Sequence, residues 1–259
     1  MRYSYTSTSP QIASRYPFHV CASVVTVLLL LLAGCGGESA ARARATPTPT
    51  SAASVVYVAL GASDAVGVGA DDPNTQAYVP LLIARLPKGA RALNLGISGI
   101  HLHDALAQEM PAALAAHPTL VTVWLVGNDF RDCTPLAQYA ADLDTLLAQL
   151  HDKTQAQVFV GNVPDMSLLP AFQRGRGGAC VAGRAPVQIR ALVQQWNATI
   201  NPIITRRGAA LVDLYNSDLA SHPDYVSSRD GFHPSSAGYA RLADLFWAQV
   251  TAHHAVPTP

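Results

Sequence analysis

A serine, a histidine and an aspartate stand where short loops must present them. Ser63 lies in "VVYVALGASDAVGVGA", Val55 to Ala70, where an apolar run stops at Gly-Ala-Ser-Asp and more glycines follow. Asp230 and His233 lie three apart in "SSRDGFHPSSAGY", just before a proline. These types together suit nucleophilic acyl transfer: a hydroxyl to attack, an imidazole to take its proton, a carboxylate to orient the imidazole. Two more residues are of the kind that stabilises an oxyanion. Gly99, in "NLGISGI", offers a backbone N–H with no side chain in front of it, and Asn128, in "VWLVGNDF", offers a side-chain amide. Each has a plainer reading as well. Ser63 and Asp230 are helix-capping types, Gly-Asn-Asp forms turns, and Asp129 reads as structural.

What positions these residues is an alternation of short apolar runs and helical segments. The runs Val55–Leu60, Ala92–Leu95, Leu120–Val126, Gln157–Val163 and Ala209–Leu214 are almost continuously apolar, as expected of strands covered on both faces. Between them, "AYVPLLIARL", "LHDALAQEMPAALAAH", "PLAQYAADLDTLLAQLHDK" and "PVQIRALVQQWNATINPIITRR" have helical spacing, and "SSAGYARLADLFWAQVTAHH" closes the domain. Pro111 and Pro202 are expected to kink or break two of these helices. Strand and helix in alternation predict a parallel sheet between helical layers, an α/β fold whose sites collect at the carboxyl ends of the strands. Ser63, Gly99 and Asn128 all follow predicted strand ends.

The blocks "LGASD", "ISG", "GND" and "DGFHP", in that order, make the chain similar to the SGNH hydrolases, also called the GDSL esterase/lipase family. "GNVPDMSLLPAF" resembles that family's "PD…LP" segment as well. The resemblance implies a three-layer α/β/α sandwich on a five-stranded parallel sheet, flavodoxin-like, that hydrolyses esters or thioesters without metal or cofactor. It assigns Ser63 as nucleophile, His233 as base and Asp230 as its acid. The oxyanion hole would be the backbone N–H groups of Ser63 and Gly99 and the amide of Asn128. One departure stands out: the name motif is Gly-Asp-Ser-Leu, whereas Ala62 and Asp64 flank Ser63 here. A non-catalytic lipoprotein that binds a ligand on this fold is the other class of reading, and carbohydrate O-deacetylation competes with lysophospholipase or thioesterase activity.

Ahead of the domain, Arg2 and Arg15 precede "VCASVVTVLLLLLAGCGG", an apolar run too short for a comfortable membrane span. Residues 1–34 read as a secretory signal, and Leu32-Ala33-Gly34-Cys35 resembles the lipobox of bacterial lipoproteins, with Cys35 acylated as the membrane anchor. An ordinary signal peptide that leaves Cys35 a free thiol is the alternative. Residues 35–54, poor in large apolar side chains and rich in Thr-Pro, form the expected tether. The hydrolase domain is expected over 55–254, with a tail at 255–259.

Two cysteines remain in the exported domain, and Cys133 and Cys180 invite a disulfide, with free thiols as the other outcome. Lys plus Arg equals Asp plus Glu at 17 each, so no electrostatic argument favours nucleic acid as a partner. The expected partners are a small-molecule or lipid ester and, through the anchor, a membrane; the domain is expected to act as a monomer. His101, His103 and Asp104 carry donor types but lack a completing cluster for a metal. The segment Pro170–Pro186, with Arg174, Arg176 and Arg184, reads as either substrate-facing or simply solvated.

Overall fold

The computed structural model describes Ser54–Val256. The expected signal, Cys35 and nearly all of the tether lie outside the described residues, as does the end of the tail. Five strands form one sheet: β1 (Val56–Gly61), β2 (Arg91–Asn94), β3 (Leu120–Trp124), β4 (Gln157–Gly161) and β5 (Ala210–Val212). All neighbours are parallel, in the order β2-β1-β3-β4-β5. Among the described residues ten α-helices accompany them: α1 (Ser63–Val66), α2 (Pro73–Gln76), α3 (Tyr78–Ile83), α4 (Leu102–Gln108), α5 (Met110–Ala115), α6 (Val126–Asp132), α7 (Leu136–Lys153), α8 (Pro170–Gln173), α9 (Pro186–Arg206) and α10 (Ser236–Ala252). One layer gathers α10 with α2 and α3, the other α4, α5, α7 and α9.

Burial follows the periodicity. On α7 the inward residues are Tyr139, Leu143, Leu146, Leu147 and Leu150, and on α10 Tyr239, Leu242, Ala243, Phe246 and Val250. Each large apolar side chain taken from water contributes about 1.5–3 kcal/mol, which is what holds such helices on the sheet. The sheet's inner strands β1 and β3 are buried along their whole length. The expectation of strands covered on both faces fails at β2: as an edge strand it leaves Arg91, Leu93 and Asn94 exposed.

Four expected strand ends run too far, Leu95 by one residue and the others by two. Leu120–Val126 stops at Trp124, because Val126 already opens α6, so Asn128 stands in a first helical turn. Val163 and Leu214 are fully buried yet unpaired in the ladder; the Val163 N–H donates to Asn197 Oδ1 and the Leu214 N–H to Asn162 Oδ1. Side-chain amides there replace a neighbouring strand, and apolar pattern alone does not separate the two cases. Pro111 breaks its helix as expected, with α4 ending at Gln108 and α5 beginning at Met110. Pro202 does not: α9 runs through it unbroken. No described helix is long and apolar enough to cross a membrane.

Candidate active site

The carboxyl ends of β1, β2 and β3 bring the first residues of the site together. β1 ends at Gly61, and Ser63 opens α1 with Ala62 as its N-cap. Ser63 caps nothing: its Oγ meets His233 Nε2 at 2.9 Å. The far side of that imidazole, Nδ1, lies 2.6 Å from Asp230 Oδ2. Asp230 is in turn tied down by its own loop, since Oδ1 accepts from the Phe232 N–H at 2.8 Å and from the His233 N–H at 3.1 Å. Burial works against the Asp230 charge, but the His233 ring and these two N–H groups outweigh it and hold the carboxyl below the usual range. Asp230 does not cap the final helix either; Ser235 does, through Gly238 N–H.

The glycines after Ser63 have a spatial reason at Gly69. Its backbone, at φ +102°, passes so close to the His233 loop that a Cβ there would stand 2.4 Å from the Pro234 carbonyl. Gly69 lets the chain leaving the nucleophile run beneath the base.

The N–H groups of Ser63 and Gly99 and the amide of Asn128 are the candidate oxyanion donors. The N–H groups of Ser63 and Gly99 donate to no protein group among the described residues. Gly99 has φ +82°, and nothing lies within 4 Å of where its Cβ would be. Asn128 is buried, and its Nδ2 donates to the Ile100 carbonyl at 2.9 Å, which leaves its second amide hydrogen for a ligand. The loop after β2 is fastened to the nucleophile turn: Asn94 Nδ2 donates to the Ala65 carbonyl at 2.7 Å, and the Ile97 N–H to the Gly61 carbonyl at 3.1 Å. Asp129 is structural, as expected; its Oδ2 accepts the Leu102 N–H at the start of α4.

A small pocket of about 30 Å³ opens beside this set. It borders the neighbours of three key residues: Asp64 after Ser63, Gly127 before Asn128, Phe232 and Pro234 around His233. Its remaining wall is apolar, with Trp124, Met166 and Leu169 among it. Burial pushes the Asp64 carboxyl up to about 6, against the attraction of His233.

Residues 59–241 match the sequence profile of the GDSL-like Lipase/Acylhydrolase family. The chain belongs to that family. It is an ester-bond hydrolase, and its sheet and helices share the fold of solved SGNH hydrolases. The structure described as TesA is 24% identical, with TM-score 0.57, over 76% of this chain and 98% of that one. A lipase/acylhydrolase from Enterococcus faecalis gives 20% and 0.59, over 77% and 96%. The acetyl xylan esterase AlAXEase gives 15% and 0.58, over 76% and 100%. No match was found among curated proteins.

In this hydrolase Ser63, Asp230 and His233 form one bonded chain, and Gly99 and Asn128 adjoin it through the loop after β2. Cys133 and Cys180 are bridged, with Cα atoms 4.8 Å apart. The histidines of "GIHLHD" separate into two pairs, His101 with Asp132 and His103 with Asp142, each at 3.2 Å. Among the described residues no cluster of three or more His, Cys, Asp or Glu side chains is arranged for a metal. The arginines of Pro170–Pro186 do not line the pocket: Arg174 packs over Gly231, and Arg184 Nε donates to the Cys180 carbonyl. The segments around Met166 and Leu219, together with Tyr225, build the pocket wall instead. Sequence reasoning missed them because loop side chains carry no periodicity; only "PDMSLLP" gave a signal.

Proposed function

We propose that the protein is a serine esterase acting through an acyl-enzyme. The observation that carries this is the unbroken line Ser63 Oγ, His233, Asp230, at 2.9 and 2.6 Å. His233 Nε2 takes the proton of Ser63 as the hydroxyl attacks the acyl carbonyl, and Asp230 holds Nδ1–H so that Nε2 faces the serine. The tetrahedral oxyanion is met by the N–H groups of Ser63 and Gly99 and by the Asn128 amide. His233 then gives its proton to the leaving alcohol or thiol, and water, activated by the same imidazole, releases the acid. A non-catalytic binding protein would have no use for this proton path.

The substrate is a carboxylic ester or thioester of the lysophospholipase or thioesterase kind. Val66 and Ile97, exposed and close in sequence to Ser63 and Gly99, favour a lipid ester. The second reading is an O-deacetylase of carbohydrate; one structural neighbour is described as an acetyl xylan esterase. The protein works outside the cytoplasm, held to the membrane through Cys35; the Cys133–Cys180 bridge supports an oxidising compartment.

Hydrolysis of p-nitrophenyl esters from acetate to palmitate, by wild type and by Ser63→Ala, tests this. The expectation is turnover by wild type and a loss of about 10⁴-fold or more in the variant. Equal turnover in the two would remove Ser63 from the mechanism, and a preference for acetate over longer chains would select the deacetylase reading.

A further inference from the structure

Among the described residues, Glu109 and Asp129 are the acidic side chains buried to 1% exposure, and while Asp129 holds a helix start, no step above uses Glu109. It stands between α4 and α5, in a helical backbone conformation. Its Oε2 accepts the Gly61 N–H at 3.1 Å, the last residue of β1. Gly61 in turn accepts the Ile97 N–H through its carbonyl. Gly61 precedes Ser63 by two residues, and Ile97 precedes Gly99 by two.

The carboxyl is poorly satisfied for a group that serves only the fold. Its Oε1 has no protein partner among the described residues, and neither has the buried Tyr78 hydroxyl, 3.4 Å from where a Cβ on Gly61 would be. Burial pushes Glu109 up to about 8, opposed in part by the N–H dipoles of Gly61 and Ile97. A half-satisfied buried carboxyl weakens a core, and an apolar residue of similar shape would pack there at no loss. What an apolar residue would not do is hold the Gly61 N–H, and with it the join between the end of β1 and the loop after β2.

We infer that Glu109 is a positioning residue for the oxyanion hole: its carboxyl locks the end of β1 against the loop after β2 and so sets Ser63 relative to the Gly99 N–H. This rests on the roles proposed for Ser63 and Gly99. A shift of the order of 1 Å between nucleophile and donor is enough to cost about 100-fold in rate, so the effect appears in kcat and leaves substrate binding alone.

The test compares the full-length protein with Glu109→Gln and Glu109→Met. The readouts are kcat and KM on a p-nitrophenyl ester, the rate of labelling by a fluorophosphonate, and the melting temperature. Glu109→Gln keeps an acceptor for Gly61 and is expected to hold kcat within a few-fold of wild type. Glu109→Met is expected to melt within a few degrees of wild type, with kcat lower by about 10- to 100-fold, KM unchanged and labelling slowed in parallel. Wild-type kcat in Glu109→Met would overturn the inference, as would a loss in Glu109→Gln equal to that in Glu109→Met. If Glu109→Met does not fold, Glu109→Asp replaces it: the carboxylate falls one methylene short, and a wild-type kcat there overturns the inference too. Failure of the underlying mechanism looks different, since wild type itself would then resist the fluorophosphonate.

Discussion

His233 sits between two oxygens that reach it by different routes, and the residue scale is where the chemistry is decided. Asp230 comes from the same short loop, so no second element has to be in register with it, and the loop's own N–H groups fix its carboxylate. Asn128 is placed by its bond to Ile100 and keeps one hydrogen free. Asn128→Ala is expected to lower kcat by about 100- to 1000-fold with little change in KM, measured by steady-state kinetics; an unchanged kcat would take Asn128 out of the hole. Glu109 adds a pH signature. The unfolded carboxyl ionises near 4.5 and the folded one near 8, so the folded state holds the extra proton between them. Stability from this group is full at acid pH and lost as pH rises through that window. Glu109→Gln is therefore expected to gain on wild type from pH 4.5 to 8, by an amount on the order of a few kcal/mol, read from denaturant midpoints. A gap that stays constant with pH would contradict it. Ser63, Gly99, Asn128, Asp230 and His233 were readable because their types are few and their motifs short. Glu109 was not, because one acid in an Ala- and Leu-rich helical stretch looks like any solvated position.

At the scale of elements, the Cys133–Cys180 bridge joins the helix that carries Asn128 to the segment that supports the Asp230 loop. Cys133 ends α6 in a left-handed turn at φ +65°. On the other side, the Ala171 N–H donates to the Gly231 carbonyl at 2.9 Å, next to Asp230. The bridge closes a sequence separation of 47, for which chain entropy gives about 4 kcal/mol. Cys133→Ser is expected to lose up to about that much stability, with a smaller fall in kcat as α6 and the Asp230 loop loosen; a melting temperature equal to wild type would show the bridge to be dispensable. Elements were legible where a long period repeats, as in α7 and α10. They were misjudged where a buried apolar residue takes its backbone bond from a side chain, as Val163 does from Asn197. Pro202 does not break α9, because packing of that helix against its neighbours outweighs one missing N–H.

For the whole molecule, five parallel strands with β1 and β3 at the centre put three loops at one end of the sheet, and the Asp230–His233 loop closes over them. That architecture was legible from the alternation of strands and helices together with four ordered motifs. The pocket was not, because it is assembled from loops distant in sequence, Met166 and Leu169 meeting Leu219, Tyr225 and Phe232. Acyl-chain preference separates the lipid-ester reading from the deacetylase reading. The central claim is narrower: one serine, activated by His233, carries the acyl group. The most direct measurement is labelling of the folded protein with a fluorophosphonate, followed by peptide mass mapping. A single phosphonyl group on Ser63, absent in His233→Ala, is the predicted result. Labelling at another residue, or none while ester hydrolysis continues, would contradict the account.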